Sequence, residues 1–287
     1  MTATATSPDV ESQIRQVTPA EVAAFGDNGW VELPGLVSAD LAGTLLARLK
    51  QLSGIDLDEF VEGDPASEAA LERTRSEGRK RLFFMSRLQD ETVWEVATAR
   101  GLGEAAAALT GIRPMRLFTD GIICKLPEWT GKRDVGPAIM TGETPWHQDM
   151  PPMPMDRVGG VQFWLALTEI TPEMGSMQHL SGSHRERPMG CVQFNDDQTL
   201  EELHPELWEK YELSPPHHLH PGDVLAHDSL TVHYAQANRT NRLRWVYTSY
   251  RIPANTLNNG IPNPRFEEFG FETWKPFEHP KFPIVAE

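Results

Sequence analysis

The 287-residue sequence is poor in cysteine, in basic charge and in long apolar runs. Its two cysteines, Cys124 and Cys191, cannot form a disulfide framework, and we expect both to be buried, reduced thiols. No stretch approaches the about 20 uninterrupted apolar residues of a transmembrane helix, and residues 1–16 lack the basic start and apolar run of a signal peptide. These absences favour a soluble, cytoplasmic protein.

The charge balance is acidic, with 41 Asp and Glu against 26 Lys and Arg and a formal net charge of −15. This balance argues against nucleic acid or an anionic membrane as the main partner. It leaves an anionic small molecule open, because a basic pocket can lie inside an acidic protein. Residues 56–68 are acidic and residues 73–87 are basic, which indicates either a solvated surface or a basic rim that guides an anionic substrate or cofactor.

The first third of the chain predicts helices. Residues 1–16, rich in Ala, Thr and Ser, are expected to form a flexible tail. Thr18-Pro19-Ala20-Glu21 predicts a capped helix that ends near Gly26, and Ser38 is expected to cap a second helix. The apolar spacing predicts a third helix over 93–109.

After Pro114, short β-type runs are separated by Pro, Gly and Asn, which is typical of a sandwich or barrel. The predicted strands cover 117–125, 161–167, 224–227 and 245–252, in addition to a short strand at 30–33. We therefore expect a mainly β protein with flanking helices (α+β). One domain over 17–287 would contain a helical part (17–115), a β core (116–252) and a C-terminal extension (253–287).

The segment Thr144-Pro145-Trp146-His147-Gln148-Asp149 is the most informative for chemistry. Side chains two residues apart on an extended chain point to the same side, so His147 and Asp149 can reach one ion. An imidazole and a carboxylate form two thirds of the facial triad that holds Fe(II) in oxygenases. His-x-Asp alone is a weak signal, so a third ligand on another strand is required.

His233 is the best third ligand, because it follows the turn signal Pro221-Gly222-Asp223 and the apolar run Val224-Leu225-Ala226. Arg244 lies eleven residues beyond His233. Its guanidinium can bind a carboxylate bidentately, as an oxygenase that uses 2-oxoglutarate requires.

These motifs together resemble the phytanoyl-CoA dioxygenase family, over roughly residues 18–252. Further matching segments are Asp27-Asn28-Gly29-Trp30-Val31-Glu32-Leu33-Pro34-Gly35, Gly175-Ser176-Met177, Ser181-Gly182-Ser183-His184, Asn238 and Thr240. The resemblance implies a double-stranded β-helix, the cupin-like jelly roll, with non-haem Fe(II) in its mouth. Each motif alone is weak, whereas the combination is specific.

The resemblance also implies roles for individual residues. His147, Asp149 and His233 would be the catalytic metal ligands, and Arg244 would pair with the distal carboxylate of 2-oxoglutarate. Lys125 and Trp164 would lie beside this cofactor. The family often has Ser where this chain has Ala235, which leaves one cofactor hydrogen bond unassigned. Related halogenases replace the carboxylate ligand with a small residue, so Asp149 favours hydroxylation or another oxidation.

We therefore expect an Fe(II)- and 2-oxoglutarate-dependent dioxygenase, cytoplasmic and monomeric or homodimeric, that uses O2 and releases succinate and CO2. Hydroxylation of an unactivated C–H of a small molecule is the leading expectation, although desaturation, epoxidation or rearrangement would use the same site. Ascorbate is the expected assay additive, and secondary metabolism is a fitting context. The alternatives are a cupin-like metal-dependent hydrolase or isomerase, or a non-catalytic β-helix that binds a small molecule.

Residues next to the metal ligands are candidates for substrate contact. Gln148 and Trp146 flank the ligands, and Met150 opens an irregular loop of Met and Pro; packing is the alternative for each. We interpret His227 as a structural histidine on a strand. The remaining histidines are expected at the surface or in turns: His179, His184, His204, His217, His218, His220 and His279.

Overall fold

A computed structural model of the chain describes residues 9–75, 84–132, 142–189 and 198–287. These residues form seven α-helices: α1 (Pro19–Asn28), α2 (Ala39–Ser53), α3 (Pro65–Arg75), α4 (Glu91–Thr98), α5 (Arg100–Thr110), α6 (Leu200–Leu203) and α7 (Glu206–Lys210). They form ten strands: β1 (Trp30–Leu33), β2 (Met115–Lys125), β3 (Thr144–His147), β4 (Val161–Ala166), β5 (Met177–Ser181), β6 (Glu212–Leu213), β7 (Val224–Asp228), β8 (His233–Ala235), β9 (Arg244–Pro253) and β10 (Ile284–Ala286). Among these helices none has the length and apolarity needed to cross a bilayer.

The first helix begins as the sequence predicts and ends later. The Thr18 hydroxyl accepts a hydrogen bond from the Glu21 N–H, and the Glu21 carboxylate accepts one from the Thr18 N–H, which completes a capping box. The helix continues past Gly26 because Gly29, rather than Gly26, adopts the left-handed conformation that closes it. The Gly29 N–H donates to the Phe25 carbonyl at 2.7 Å.

The single helix predicted over 93–109 is instead two helices, α4 and α5, that meet at Ala99. Ala99 has φ −52° and ψ 129°, which is not helical. The new N-terminus is stabilised by Glu11, whose carboxylate accepts hydrogen bonds from the N–H groups of Arg100 (2.6 Å) and Gly101 (2.9 Å). This capping residue lies 89 positions away in sequence, so the break has no local signal.

Part of the predicted flexible tail packs against the domain. Residues 1–8 lie outside the described residues, whereas 9–16 contain a short 3-10 helix, Glu11–Gln13. Ile14 forms an isolated β-bridge with Val37, and the Arg15 N–H donates to the Leu36 carbonyl at 2.9 Å. Backbone pairing therefore fixes this segment beside the start of α2.

The strands form two antiparallel sheets of a double-stranded β-helix, which confirms the predicted fold class. The larger sheet has the order β1-β7-β4-β9-β2-β10 and the smaller one the order β3-β8-β5-β6. The four long predicted strands are β2, β4, β7 and β9, all in the larger sheet. β9 pairs with both β2 and β4 and is buried along its whole length.

Alternation along β4 shows what each face of the larger sheet contacts. Val161, Phe163 and Leu165 belong to the main apolar core that the helices cover. Trp164 and Ala166, on the opposite face, pack with apolar residues of the smaller sheet. The helical region therefore buries one face of the larger sheet and leaves the other face to form the interior between the two sheets.

The C-terminal extension is packed against the β core. β10 pairs with β2, and phenylalanines of the extension join Phe118 of β2 in an aromatic cluster. The Phe118 ring stacks on Phe266 with centroids 4.6 Å apart and meets Phe277 edge-on at 4.9 Å. This cluster also contains Met150, directly after Asp149. The extension thus supports the loop that follows β3.

Two predictions fall partly outside the described residues. In the basic segment 73–87, residues 76–83 are not described, but Arg87 is buried and forms an ion pair with Asp120. Arg87 therefore does not contribute to a basic rim, because the protein itself neutralises its charge. Cys124 is buried as predicted, and Cys191 lies outside the described residues.

Candidate functional site

The fold brings His147, Asp149 and His233 together. His147 ends β3 and pairs with His233 at the start of β8, and Asp149 lies two residues beyond the end of β3. One Asp149 oxygen, Oδ1, lies 3.6 Å from His147 Nε2 and 3.9 Å from His233 Nε2. The three residues can offer ligand atoms that lie within 4.8 Å of one another, close enough to hold one metal ion.

Backbone carbonyls fix both histidine rings in the tautomer that a metal ligand needs. His147 Nδ1–H donates to the Pro145 carbonyl at 2.7 Å, and His233 Nδ1–H donates to the Thr231 carbonyl at 2.9 Å. A neutral ring with its proton on Nδ1 has an unprotonated Nε2, which is the ligand atom. Both Nε2 atoms face Asp149.

The charges at the centre suit a cation. Burial and the neighbouring imidazoles hold the pKa of His233 well below its usual value, so the ring is neutral at pH 7. Burial alone would raise the pKa of Asp149, but the histidines around it, which include His147 and His227, hold that pKa well below its usual value. Two neutral imidazoles and one carboxylate are the donor set of a non-haem iron site.

The ligands line a cavity of about 140 Å³ between the two sheets. The smaller sheet and its flanking residues contribute Thr144, His147, Asp149, Met177, His233, Tyr234 and Ala235. The larger sheet contributes Ile123, Gln162, Trp164, His227, Arg244 and Thr248. A ligand in this cavity therefore contacts the metal-ligand candidates and the predicted cofactor arginine together.

Arg244 is a buried cation that forms no ion pair with a carboxylate of the described residues. Its side chain is 1% exposed, and its Cζ lies 5.0 Å from the centroid of the Trp164 ring. Nη1 donates to the Gly175 carbonyl, whereas Nε has no hydrogen-bond partner among the described residues. Burial lowers the pKa of Arg244 to about 9, which still leaves the group charged at pH 7. Such a group favours an anionic ligand.

Lys125 lies beside the cavity rather than on its surface. Its Nζ lies within hydrogen-bonding distance of the Gln236 carbonyl (2.7 Å), the Ala235 carbonyl (3.3 Å) and the Thr144 hydroxyl (3.3 Å). Burial and the neighbouring Arg244 lower the pKa of Lys125 to about 6. Lys125 therefore ties β2 to β3 and β8 and does not line the cavity, whereas Trp164 does line it.

The three predicted substrate residues are not among the described residues that line the cavity. The Gln148 side chain donates to the Leu230 carbonyl at 2.8 Å and accepts from the Met189 N–H at 2.8 Å. Trp146 stacks on Tyr234 with ring centroids 5.0 Å apart. Met150 packs in the aromatic cluster of the C-terminal extension.

The physical reason is the alternation of an extended chain, which sends Trp146 and Gln148 to the face opposite His147 and Asp149. The same alternation that predicted the ligands thus places their neighbours on the face away from the candidate metal centre.

Three histidines differ from what the sequence indicated, in burial or in their contacts. His227 is buried as expected of a structural histidine, but its Nε2 lies 2.9 Å from Asp149 Oδ2. His179, predicted at the surface or in a turn, lies on β5 and is fully buried, and its ring stacks on Trp30 with centroids 5.1 Å apart. His217 is buried as well. The position of His227 after the apolar run of β7 was the available signal, because such a strand is buried.

A family model described as phytanoyl-CoA dioxygenase (PhyH) matches residues 25–246. Among solved structures, the α-ketoglutarate-dependent carbocyclase SnoK from nogalamycin biosynthesis is 18% identical with a TM-score of 0.72, covering 98% of this chain and 100% of SnoK. EctD from S. alaskensis with 2-oxoglutarate and 5-hydroxyectoine is 20% identical with a TM-score of 0.69, covering 98% and 92%.

The epimerase SnoN with Fe3+, α-ketoglutarate and nogalamycin RO is 19% identical with a TM-score of 0.67, covering 93% of this chain and 98% of SnoN. At these identities the three structures are alike in fold. No curated protein matches the sequence significantly.

Proposed function

Because the chain belongs to the phytanoyl-CoA dioxygenase family, we propose that it is an Fe(II)- and 2-oxoglutarate-dependent oxygenase acting on a small molecule. One observation carries this proposal. A cluster of His147, Asp149 and His233 shares a cavity with Arg244, a buried cation without a carboxylate partner among the described residues. A metal-dependent hydrolase requires only the first feature, whereas a dicarboxylic cofactor requires both.

The residues fit Fe(II). His147 and His233 present unprotonated Nε2 atoms, and Asp149 presents Oδ1 between them. A set of two imidazoles and one carboxylate leaves positions on the ion for other ligands. In our proposal these three side chains hold the iron, and the cavity beside them receives the cofactor and O2.

The residues also fit a dicarboxylic cofactor. Arg244 lies in the same cavity as the ligand cluster, so it can bind the distal carboxylate while the keto-acid end reaches the metal. Trp164 packs under the guanidinium and holds its plane. Thr144, opposite Ala235 in the β3–β8 pairing, lines the same cavity and can donate the hydrogen bond that Ala235 lacks.

The chain's part in the reaction is positioning. Iron, 2-oxoglutarate and O2 together would supply an oxidant that attacks an unactivated C–H, with succinate and CO2 as co-products. Asp149 keeps the carboxylate in the ligand set, which favours hydroxylation of the substrate over halogenation. The apolar side chains Ile123 and Met177 line the same cavity beside the candidate ligands.

Whether the reaction gives an alcohol or another product depends on the substrate. Proteins of this fold include one named a carbocyclase and one named an epimerase, so the same architecture accommodates rearranging chemistries. We propose hydroxylation for this chain as the simplest result of hydrogen removal, and a metabolite of secondary metabolism as the substrate class.

Turnover of 2-oxoglutarate tests the proposal. Purified protein with Fe(II), ascorbate and O2 should convert 2-oxoglutarate to succinate, and His147→Ala should abolish this conversion. The matched control is His204→Ala, which alters a partly exposed histidine away from the cavity. Normal turnover by His147→Ala would overturn the assignment. Metal-dependent activity that needs neither 2-oxoglutarate nor O2 would favour the hydrolase or isomerase.

A further inference from the structure

We propose that His227 is a positioning residue that makes Asp149 bind the metal through one oxygen only. This inference rests on the proposed function, because it concerns the ligand set of the metal. It assigns a role to a buried histidine that belongs neither to the ligand cluster nor to the cofactor contacts.

The two oxygens of Asp149 have different partners. Oδ1 faces the ligand nitrogens, 3.6 Å from His147 Nε2 and 3.9 Å from His233 Nε2. Oδ2 lies 2.9 Å from His227 Nε2. Oδ1 thus faces the candidate metal position, and Oδ2 is within hydrogen-bonding distance of His227 of the larger sheet.

The tautomer of His227 follows from its surroundings. Its Nδ1 is buried and has no hydrogen-bond partner in the part of the chain that the structure describes. A neutral imidazole carries one N–H, and a buried N–H without an acceptor is costly. The proton therefore lies on Nε2, and His227 donates it to Asp149 Oδ2.

The strand holds the His227 ring in place. β7 lies between β1 and β4, and His227 is paired with Trp30 on one side and with Gln162 on the other. Its ring also packs against His233, with centroids 4.3 Å apart. The ladders fix the backbone, and burial against the His233 ring restricts the side chain, so His227 has little freedom to follow the carboxylate if Asp149 rotates toward a metal.

The consequence concerns the open positions on the ion. A carboxylate that binds through both oxygens takes a position that the keto acid or O2 needs. By holding Oδ2, His227 keeps that position open and orients Oδ1. Partners that orient metal ligands in this way typically change metal affinity by about 10–100-fold when removed.

Substitutions of different length separate positioning from packing. The Gln side chain places its amide nitrogen near the position of His Nε2, whereas the Asn amide is one methylene shorter and cannot reach Asp149. Three variants are compared with the parent protein: His227→Gln, His227→Asn and His227→Ala. The control is His217→Gln, which alters another buried histidine that hydrogen-bonds Glu32 and His179 rather than Asp149.

The readouts are Fe(II) affinity under anaerobic conditions and the visible charge-transfer band that forms when 2-oxoglutarate chelates the iron. We expect His227→Asn and His227→Ala to bind Fe(II) about 10–100-fold more weakly and to shift or lose the band. His227→Gln and His217→Gln should stay close to the parent protein in both readouts. Thermal unfolding of each variant identifies loss of fold.

The Gln and Asn variants decide the outcome, because they share one chemistry and differ by one methylene. Equal affinities and bands in these two variants would overturn the positioning role, as would a parent-like His227→Ala. Failure of the parent protein itself to bind Fe(II) or form the band would instead overturn the proposed function. The two failures are therefore distinguishable.

Discussion

Two buried arginines show the difference between the helix-covered side of the larger sheet and its cavity side. Arg87 forms an ion pair with Asp120, and its guanidinium also donates to the carbonyls of Phe118 (3.2 Å) and Lys281 (2.9 Å). Arg244 is equally buried, but among the described residues its Nη1 donates to the Gly175 carbonyl and its Nε has no partner.

The comparison indicates which of the two arginines lacks an anionic partner among the described residues. A buried charge is tolerated when a partner compensates it, and Asp120 compensates Arg87 within the protein. The side chain of Arg244 lines a cavity that the metal-ligand candidates also line. We infer that the protein supplies the carboxylate on one side of the sheet and the ligand supplies it on the other.

Loss of Arg87 should give the largest change in stability. Arg87→Met leaves Asp120 buried without its cation, and such a loss typically costs about 3–5 kcal/mol. Urea unfolding at pH 7 measures this free energy. A loss below about 1 kcal/mol, the range of exposed ion pairs, would break the comparison, because it would show that the pair does not stabilise the fold.

Loss of Arg244 should weaken the cofactor rather than the fold. Arg244→Met removes a charge that no carboxylate in the described part of the chain compensates, so the free energy of unfolding without ligand should stay unchanged or rise. The apparent KM for 2-oxoglutarate should rise by roughly 30–1000-fold, which corresponds to the about 2–4 kcal/mol typical of a buried charged hydrogen-bonding partner. Arg244→Lys keeps the charge but lacks the bidentate fork, so its apparent KM for 2-oxoglutarate should lie between those of the parent protein and Arg244→Met.

A large destabilisation of Arg244→Met in the absence of ligand would contradict this account. It would mean that Arg244, like Arg87, is a structural cation of the core.

The pH dependence of stability tests whether Lys125, a buried basic residue next to Arg244, is neutral in the folded protein. Its pKa is lowered to about 6 by burial and by Arg244, so between pH 6 and its ordinary value the unfolded chain binds a proton that the folded protein does not. Stability contributed by this residue therefore rises with pH. Lys125→Met removes the dependence, so the stability of the variant relative to the parent should fall by about 2–3 kcal/mol from pH 7 to pH 9.

Urea unfolding of both proteins at the two pH values measures this change. A constant difference between them would show that Lys125 stays charged in the folded protein, next to the buried Arg244.

The sequence predicted features that depend on near neighbours. The Thr18 capping box, the Ser38 cap and the alternation of His147 with Asp149 all act within a few residues, and all are present. The convergence of His233 on this pair followed from its strand context and from family resemblance. Arg244 in the same cavity followed likewise.

Features set by distant partners escaped prediction. The helix predicted over 93–109 is interrupted at Ala99 because Glu11 caps the turn that follows. Arg87 belongs to a basic run in the sequence but is buried in the fold, where it forms an ion pair with Asp120. His227 approaches Asp149 from another sheet, 78 residues away in sequence. In each case the local sequence favours one conformation or environment, and a side chain distant in the sequence determines a different one.

Binding of two keto acids tests the central claim, that a ligand carboxylate neutralises Arg244. Calorimetry with Fe(II)-loaded protein under anaerobic conditions compares 2-oxoglutarate with 2-oxobutyrate, which has the same chelating end but no distal carboxylate. The parent protein should prefer 2-oxoglutarate by about 100-fold, within the range of a buried bidentate ion pair, and Arg244→Met should bind both acids equally weakly. An undiminished preference in Arg244→Met would contradict the account.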